Sequence, residues 1–243
     1  MKKLTLILCS LSPFSVWAAT LYVALNSPNP TPPYTTWATA AANIQYAVNA
    51  AETGDEIVVS NGVYAGGVSV NKPLTLLGVN GPQFTIINGG GANQCVYLGS
   101  GASLSGFTLT NGVAYQGGGV YCAPSAVVSN CTIIGNSASY GGGVGGGTPY
   151  TDSHGGIFYN CTITGNSAYV GGGADRATFY NCTFTGNSAS YGGGFGTARC
   201  TTARSPATRQ IHSAEVPILA RSTTASFISI PLRTQRITVA IAL

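Results

Sequence analysis

The sequence predicts an all-β fold: a right-handed, single-stranded parallel β-helix, or solenoid, with a short capping helix at its N-terminal end. Three observations predict it. Near-identical units recur, VSNCTIIGNSASYGGGV at 128–144, FYNCTITGNSAYVGGGA at 158–174 and FYNCTFTGNSASYGGGF at 179–195. Each unit is made of short alternating runs broken by Gly and Asn, with no apolar stripe at helical spacing. The chain is rich in glycine (34) and only 7% charged, yet 44% hydrophobic, which is enough apolar surface for a core.

Taken in order, Lys2 and Lys3 precede an apolar run from Leu4 to Val16, and Val16-Trp17-Ala18-Ala19 offers small residues for cleavage. Residues 1–19 therefore read as a secretory signal peptide. The run is shorter than the ~20 apolar residues of a membrane span, and Pro13 interrupts it. No transmembrane helix is expected in the mature chain. The solenoid is expected over 20–197. Residues 38–52 are alanine-rich, with Ile44, Ala47, Val48 and Ala51 on one helical face. A helix there would cover the open end of the first coil, with Thr36 or Thr39 as its N-cap and Gly54 as its stop. Ile57-Val58-Val59 and Asn61-Gly62-Val63-Tyr64 are then expected to begin the coils.

The repeat register carries the core of the prediction. Cys161 and Cys182 are 21 residues apart, and Cys131 and Cys161 are 30 apart, the excess being a loop around Gly145 to Gly156. A weaker copy, CVYLGSGASLSGFTLTNG at 95–112, aligns with GVYCAPSAVVSNCTIIGN at 119–136. In Cys161-Thr162-Ile163-Thr164, Cys and Ile face one side and the threonines the other. One such strand cannot bury its face alone, but copies stacked roughly 4.8 Å apart bury a continuous core. Asn and Gly suit the left-handed backbone of the corners. Two asparagine ladders follow, Asn130–Asn160–Asn181 and Asn136–Asn166–Asn187, along with a column of buried thiols at Cys131, Cys161 and Cys182. In-register side chains point the same way, which favours reduced thiols over disulfides. Cys95 and Cys122 remain a candidate pair.

Charge excludes some partners. The formal charge is +4, but six arginines lie after residue 197, and residues 20–197 set only Lys72 and Arg176 against Glu52, Asp55, Glu56, Asp152 and Asp175, a net −3. No phosphate-binding patch results, and no nucleic-acid partner is expected. The glycine triplets lack the Lys-Ser/Thr of a phosphate loop. A column of thiols does not converge on a tetrahedral metal. His154, in Asp152-Ser153-His154-Gly155, reads as a surface histidine of the inserted loop. No catalytic, cofactor-binding or metal residue is assigned, and no cofactor is expected.

The stretch WATAAANIQYAVNAAETGDEIVVSNGVY at 37–64 resembles the opening of bacterial pectin-lyase-like β-helix proteins. The later units resemble the repeats of polymorphic outer membrane proteins: Phe184-Thr185-Gly186-Asn187 fits their F-x-x-N element, and Gly-Gly-Gly stands where they have Gly-Gly-Ala. The resemblance implies a bacterial protein, secreted or held at the cell surface or outer membrane. It implies an adhesin-like passenger without catalysis, binding a polysaccharide or a cell-surface partner. Lyases of this fold hold calcium with clustered acids and use a basic residue for the proton, and hydrolases need paired carboxylates. The five acids of the body are scattered, so neither set assembles. The alternatives are a pectate-lyase-like, polysaccharide-active enzyme and a truncated, non-functional fragment. Repeated Thr-x-Thr at 162–164 and 183–185, with 108–110, also resembles an ice-binding face, although Ile134 breaks the array.

Residues 198–243 contain no Gly, Asn or Tyr. Read one base out of frame from the Cys200/Thr201 junction, the code permits YNCTITGNSA, with a cysteine codon completed at Ala203, 21 residues after Cys182. The tail is thus expected to be an out-of-frame translation of further repeats.

Overall fold

The computed structural model describes residues 18–147 and 155–194, and the backbone alone of 199–210. His154 and most of the signal and tail segments lie outside the described residues.

The chain winds through four columns of strands, and every pairing between rungs is parallel. The first column stacks β1 (Thr20–Val23), β2 (Glu56–Val59), β5 (Thr75–Gly78), β8 (Ser103–Ser105), β12 (Val127–Ser129), β16 (Ile157–Tyr159) and the start of β20 (Thr178–Tyr191). The second stacks β3 (Gly62–Ala65), β6 (Thr85–Asn88), β9 (Thr108–Thr110), β13 (Thr132–Ile134), β17 (Thr162–Thr164) and the middle of β20. The third holds β10 (Val113–Gln116), β14 (Ser137–Tyr140), β18 (Ser167–Val170) and the end of β20. The fourth holds β4 (Val68–Val70), β7 (Val96–Leu98), β11 (Val120–Cys122), β15 (Val144–Gly146) and β19 (Ala174–Asp175).

The corners explain why these residues coil. Asn130, Asn160 and Asn181 have φ of 52–53°, the left-handed conformation that Asn tolerates, and turn the chain from the first column to the second. Gly135, Gly165 and Gly186 (φ 61–66°) turn it into the third. Strands of one rung begin at 103, 108, 113 and 120, of the next at 127, 132, 137 and 144, and of the next at 157, 162, 167 and 174. Three corners therefore keep a constant length. Among these three rungs the corner from the fourth column to the first takes up the variation in length; in the rungs below them the first-to-second corner varies instead, with two residues between β2 and β3 and six between β5 and β6.

Inward side chains register from rung to rung. Leu76, Leu104, Val128, Phe158 and Phe179 form one buried row. Leu109, Ile133, Ile163 and Phe184 form another. The Phe179 ring lies 4.9 Å from that of Phe158 and meets Phe184 edge-on at 5.0 Å. The weak upstream copy stacks as its alignment requires, with Val96 beside Val120 and Leu104 beside Val128.

The N-terminal region differs from expectation in two ways. The solenoid begins before the helix, because β1 pairs with β2 from Thr20–Glu56 to Val23–Val59. The helix is shorter than 38–52: α1 spans Ile44–Ala50 and is capped by Asn43, whose side chain accepts from the Tyr46 N–H at 2.8 Å. The Thr36 hydroxyl instead accepts from Thr39 N at the 3-10 turn Trp37–Thr39. Ala41 leaves helical geometry because its N–H donates to Tyr22 O and its carbonyl accepts from Ala24 N, which ties it to β1. The helix ends at Ala51, before Gly54. Ile44, Ala47, Val48 and Ala51 are all buried against the core.

The backbone of β21 (Arg199–Gln210) runs parallel to β20 and places Ala203 opposite Cys182, with register shifts at four points. No helix among the described residues is long and apolar enough to cross a membrane.

Candidate functional site

The two predicted asparagine ladders occupy different environments. Asn136, Asn166 and Asn187 lie inside the solenoid and are buried. The Asn166 Oδ1 accepts from the Asn136 N–H at 2.9 Å, and the Asn187 Oδ1 accepts from the Asn166 N–H at 2.9 Å. Their Nδ2 groups donate to Leu109 O (3.0 Å), Ile133 O (2.9 Å) and Ile163 O (2.9 Å). Gly112 takes the equivalent place one rung earlier, its N–H donating to Asn136 Oδ1 at 2.7 Å. This ladder satisfies the backbone at a dry corner, where an unpaired polar group is costly. Asn130, Asn160 and Asn181 are exposed at the other corner; the Asn181 amide donates to Asn160 Oδ1 at 2.6 Å and that of Asn130 to Ser105 Oγ at 3.4 Å.

Cys131, Cys161 and Cys182 lie buried in one column, following Phe107 of the preceding rung, and are free thiols, as are Cys95 and Cys122. Each thiol of the column also donates back to the carbonyl two residues before it, at 3.1–3.3 Å. The hydrogen bond with Cys131, and then burial, push the Cys161 thiol well above the ordinary range; the hydrogen bond with Cys161 and burial do so for Cys182, and burial for Cys122. Burial holds Cys95 at about 11. Such thiols are poor nucleophiles.

Among the described residues, Asp55 and Asp175 do not converge. Asp55 braces the N-terminal corner, its Oδ1 accepting from Ala19 N at 2.7 Å and its Oδ2 from Glu52 N at 2.8 Å. Asp175 is buried four rungs later, 3.1 Å from the Arg176 guanidinium. Four rungs at ~4.8 Å is roughly 19 Å along the axis, more than the ~5–9.5 Å that separates paired carboxylates in glycoside hydrolysis. Among the described residues no group of three or more His, Cys, Asp or Glu is placed to hold a metal. The threonines align as Thr108–Thr132–Thr162–Thr183, but Thr108 donates its hydroxyl to Pro82 O at 2.6 Å, and exposed Ile134 stands in the second row.

A different surface gathers groups that can bind. On the third column, Tyr115 is 65% exposed and Tyr169, at the equivalent position two rungs on, is 56% exposed. Tyr140 and Tyr191 are likewise two rungs apart. Each meets an exposed ring edge-on: Tyr115–Tyr140 at 5.5 Å and Tyr169–Tyr191 at 5.2 Å. The hydrogen bond with Tyr191, and then the charge of that phenol, raise the Tyr169 pKa, with Tyr140 also close enough to contribute. The four rings thus form a strip along the solenoid axis. At its N-terminal end an open groove of about 440 Å³ is lined by Asn88, Gly90, Gly91, Asn111, Val113 and Ser137, among others. Val113 and Tyr115 share the outward face of β10. The strip was readable in the sequence: Tyr falls directly before the glycine triplet at 140 and 191 and one residue earlier at 115 and 169. The identity of the units elsewhere masks this alternation.

In shape the chain is similar to a pectin methylesterase solved in complex with a hexasaccharide (TM-score 0.52, 15% identity, 78% of this chain on 66% of that one). It is similar also to pectin methylesterase from carrot (0.51, 18%, 79% on 64%) and to a pectate lyase (0.54, 15%, 84% on 57%). The fold is a right-handed parallel β-helix. This β-helix spans between 57% and 66% of the length of those proteins, and at such identities the likeness carries the fold alone. Its sequence matches no known family profile and no curated protein.

Proposed function

We propose that this β-helix is an exported, surface-acting protein that binds a glycan along its length without transforming it. The single observation that carries the reading is the strip of exposed Tyr115 and Tyr169, each packed edge-on against half-buried Tyr140 or Tyr191, on an axially continuous sheet. Aromatic faces stack on the C–H-rich faces of sugars, and phenol hydroxyls and groove amides supply hydrogen bonds. The hexasaccharide complex of a protein of similar shape supports the reading, and the N-terminal signal supports export. The separation of Asp55 and Asp175 supports binding over catalysis.

The test is affinity electrophoresis of the full chain through gels containing plant and bacterial polysaccharides, run beside assays for unsaturated products and new reducing ends. Retardation without product is expected. Product from a pectin-like substrate would replace this reading with that of a polysaccharide-active enzyme; no retardation in any gel would remove it.

A further inference from the structure

Resting on that reading, we infer that the tyrosine strip selects an uncharged, extended β-1,4-linked glycan, whose chain runs parallel to the solenoid axis. Two independent features point there. The first is spacing. The rungs repeat singly, but the tyrosines repeat every second rung: Tyr115 with Tyr169, and Tyr140 with Tyr191. Two rungs measure roughly 10 Å, which is also the repeat of a twofold β-1,4 chain, where alternate rings present the same face. A stacking sugar therefore meets an equivalent ring pair one disaccharide later. An α-1,4 polyuronate winds as a threefold helix and loses this match.

The second feature is charge. A polyuronate bears one carboxylate per sugar and needs cations to replace its water and counterions. Among the residues described with their side chains the cations are Lys72 and Arg176; the backbone of β21 carries Arg199, Arg204 and Arg209 past the last of these rungs. Lys72 donates to the Ala51 carbonyl at the N-terminal end, and Arg176 pairs with Asp175 beyond the fourth column. Neither lies on the third column, whose strands VAYQ, SASY, SAYV and the SASY end of β20, the four that carry the tyrosines, are uncharged; Arg209 of β21 follows beside Ser188, at the C-terminal edge of the strip. The groove beside it is lined by amide, hydroxyl, glycine and valine groups. Such a surface suits hydroxyls and C–H faces.

The experiment measures binding of the full chain to a β-1,4-glucan hexasaccharide and to polygalacturonate by calorimetry, at low and high salt. The neutral oligomer is expected to bind with little salt dependence, since no ion pairs form. Tyr115→Ala/Tyr169→Ala is expected to weaken it roughly tenfold or more, the scale of one or two lost stacking contacts. Tyr115→Phe/Tyr169→Phe should retain most of the affinity, and Tyr159→Ala, on the first column, should leave it unchanged. These side chains are exposed, and matching thermal melts establish that each variant is folded. Binding of polygalacturonate in preference to the glucan overturns the inference and leaves the glycan-binding reading standing. Unchanged glucan binding in the double alanine variant overturns the assignment to the strip, and binding of neither polymer overturns both.

Discussion

Two asparagines of one repeat, six residues apart, do different jobs, and substitution separates them. Asn166 accepts from one backbone N–H and donates to a buried carbonyl inside the solenoid. Asn166→Ala leaves both unpaired and is expected to destabilise the fold by about 2–3 kcal/mol, read from the urea midpoint. Asn160 is exposed and holds φ 53°. There Asn160→Ala should cost roughly 1 kcal/mol, from the left-handed backbone, and Asn160→Gly much less. A larger loss at 160 than at 166 would contradict the assignment of the dry corner. Cys95 supplies the pH test. Its folded value, about 11, stands above the ordinary 9.0, so the fold favours the protonated thiol. That contribution is whole below pH 9.0 and is lost as pH rises through about 11. The stability gap between the native chain and Cys95→Ala, measured by urea melts, should shrink across that window. In the folded protein at pH 8, iodoacetamide should leave Cys131, Cys161 and Cys182 unmodified, with labelling by mass spectrometry only after denaturation.

At the scale of elements, the third glycine of each triplet shows why the repeats cannot drift. A Cβ on Gly143 would sit 2.7 Å from Gly173 O, and one on Gly173 2.5 Å from Gly194 O. Gly143→Ala must push rungs apart and is expected to cost about 1–3 kcal/mol or more, seen as a lowered thermal midpoint. The Asn-Cys-Thr and glycine elements were legible because each serves a position repeated down the stack, so the same demand is written several times. The first elements were not. The strand Thr20–Val23 has no copy, and its partner is reached only after the 3-10 turn and α1. The helix starts at Asn43 and not at Thr36 because Thr36, a sound N-cap, is spent on another turn, while long-range pairing of Ala41 with β1 overrides the helical preference of the alanines. The tyrosine strip escaped for the opposite reason: its period is two rungs, and reading one repeat at a time averages it away. Restoring one base near codon 198 should place a cysteine at 203, opposite Cys182 where the β21 backbone already passes, and nucleotide sequencing checks it.

For the whole molecule, stability is close to a sum of rungs and the contacts between neighbours, so what one rung tolerates depends on which corner is touched. Three corners hold the same spacing over three successive rungs, while the fourth has four residues between β11 and β12, ten between β15 and β16 and two between β19 and β20. A flexible insertion there lengthens a loop that already varies, and each doubling of length costs only ~0.6 kcal/mol. Over these rungs the solenoid therefore has one permissive seam. Peptide tags or whole recognition loops grafted between Ala123 and Ala126 should leave the far side of the stack undisturbed, whereas the same graft at Gly135 should unseat every rung above it. An architecture of this kind can acquire new specificities along a single edge while its tyrosine face stays constant, much as a bookbinding admits new leaves without altering the cover.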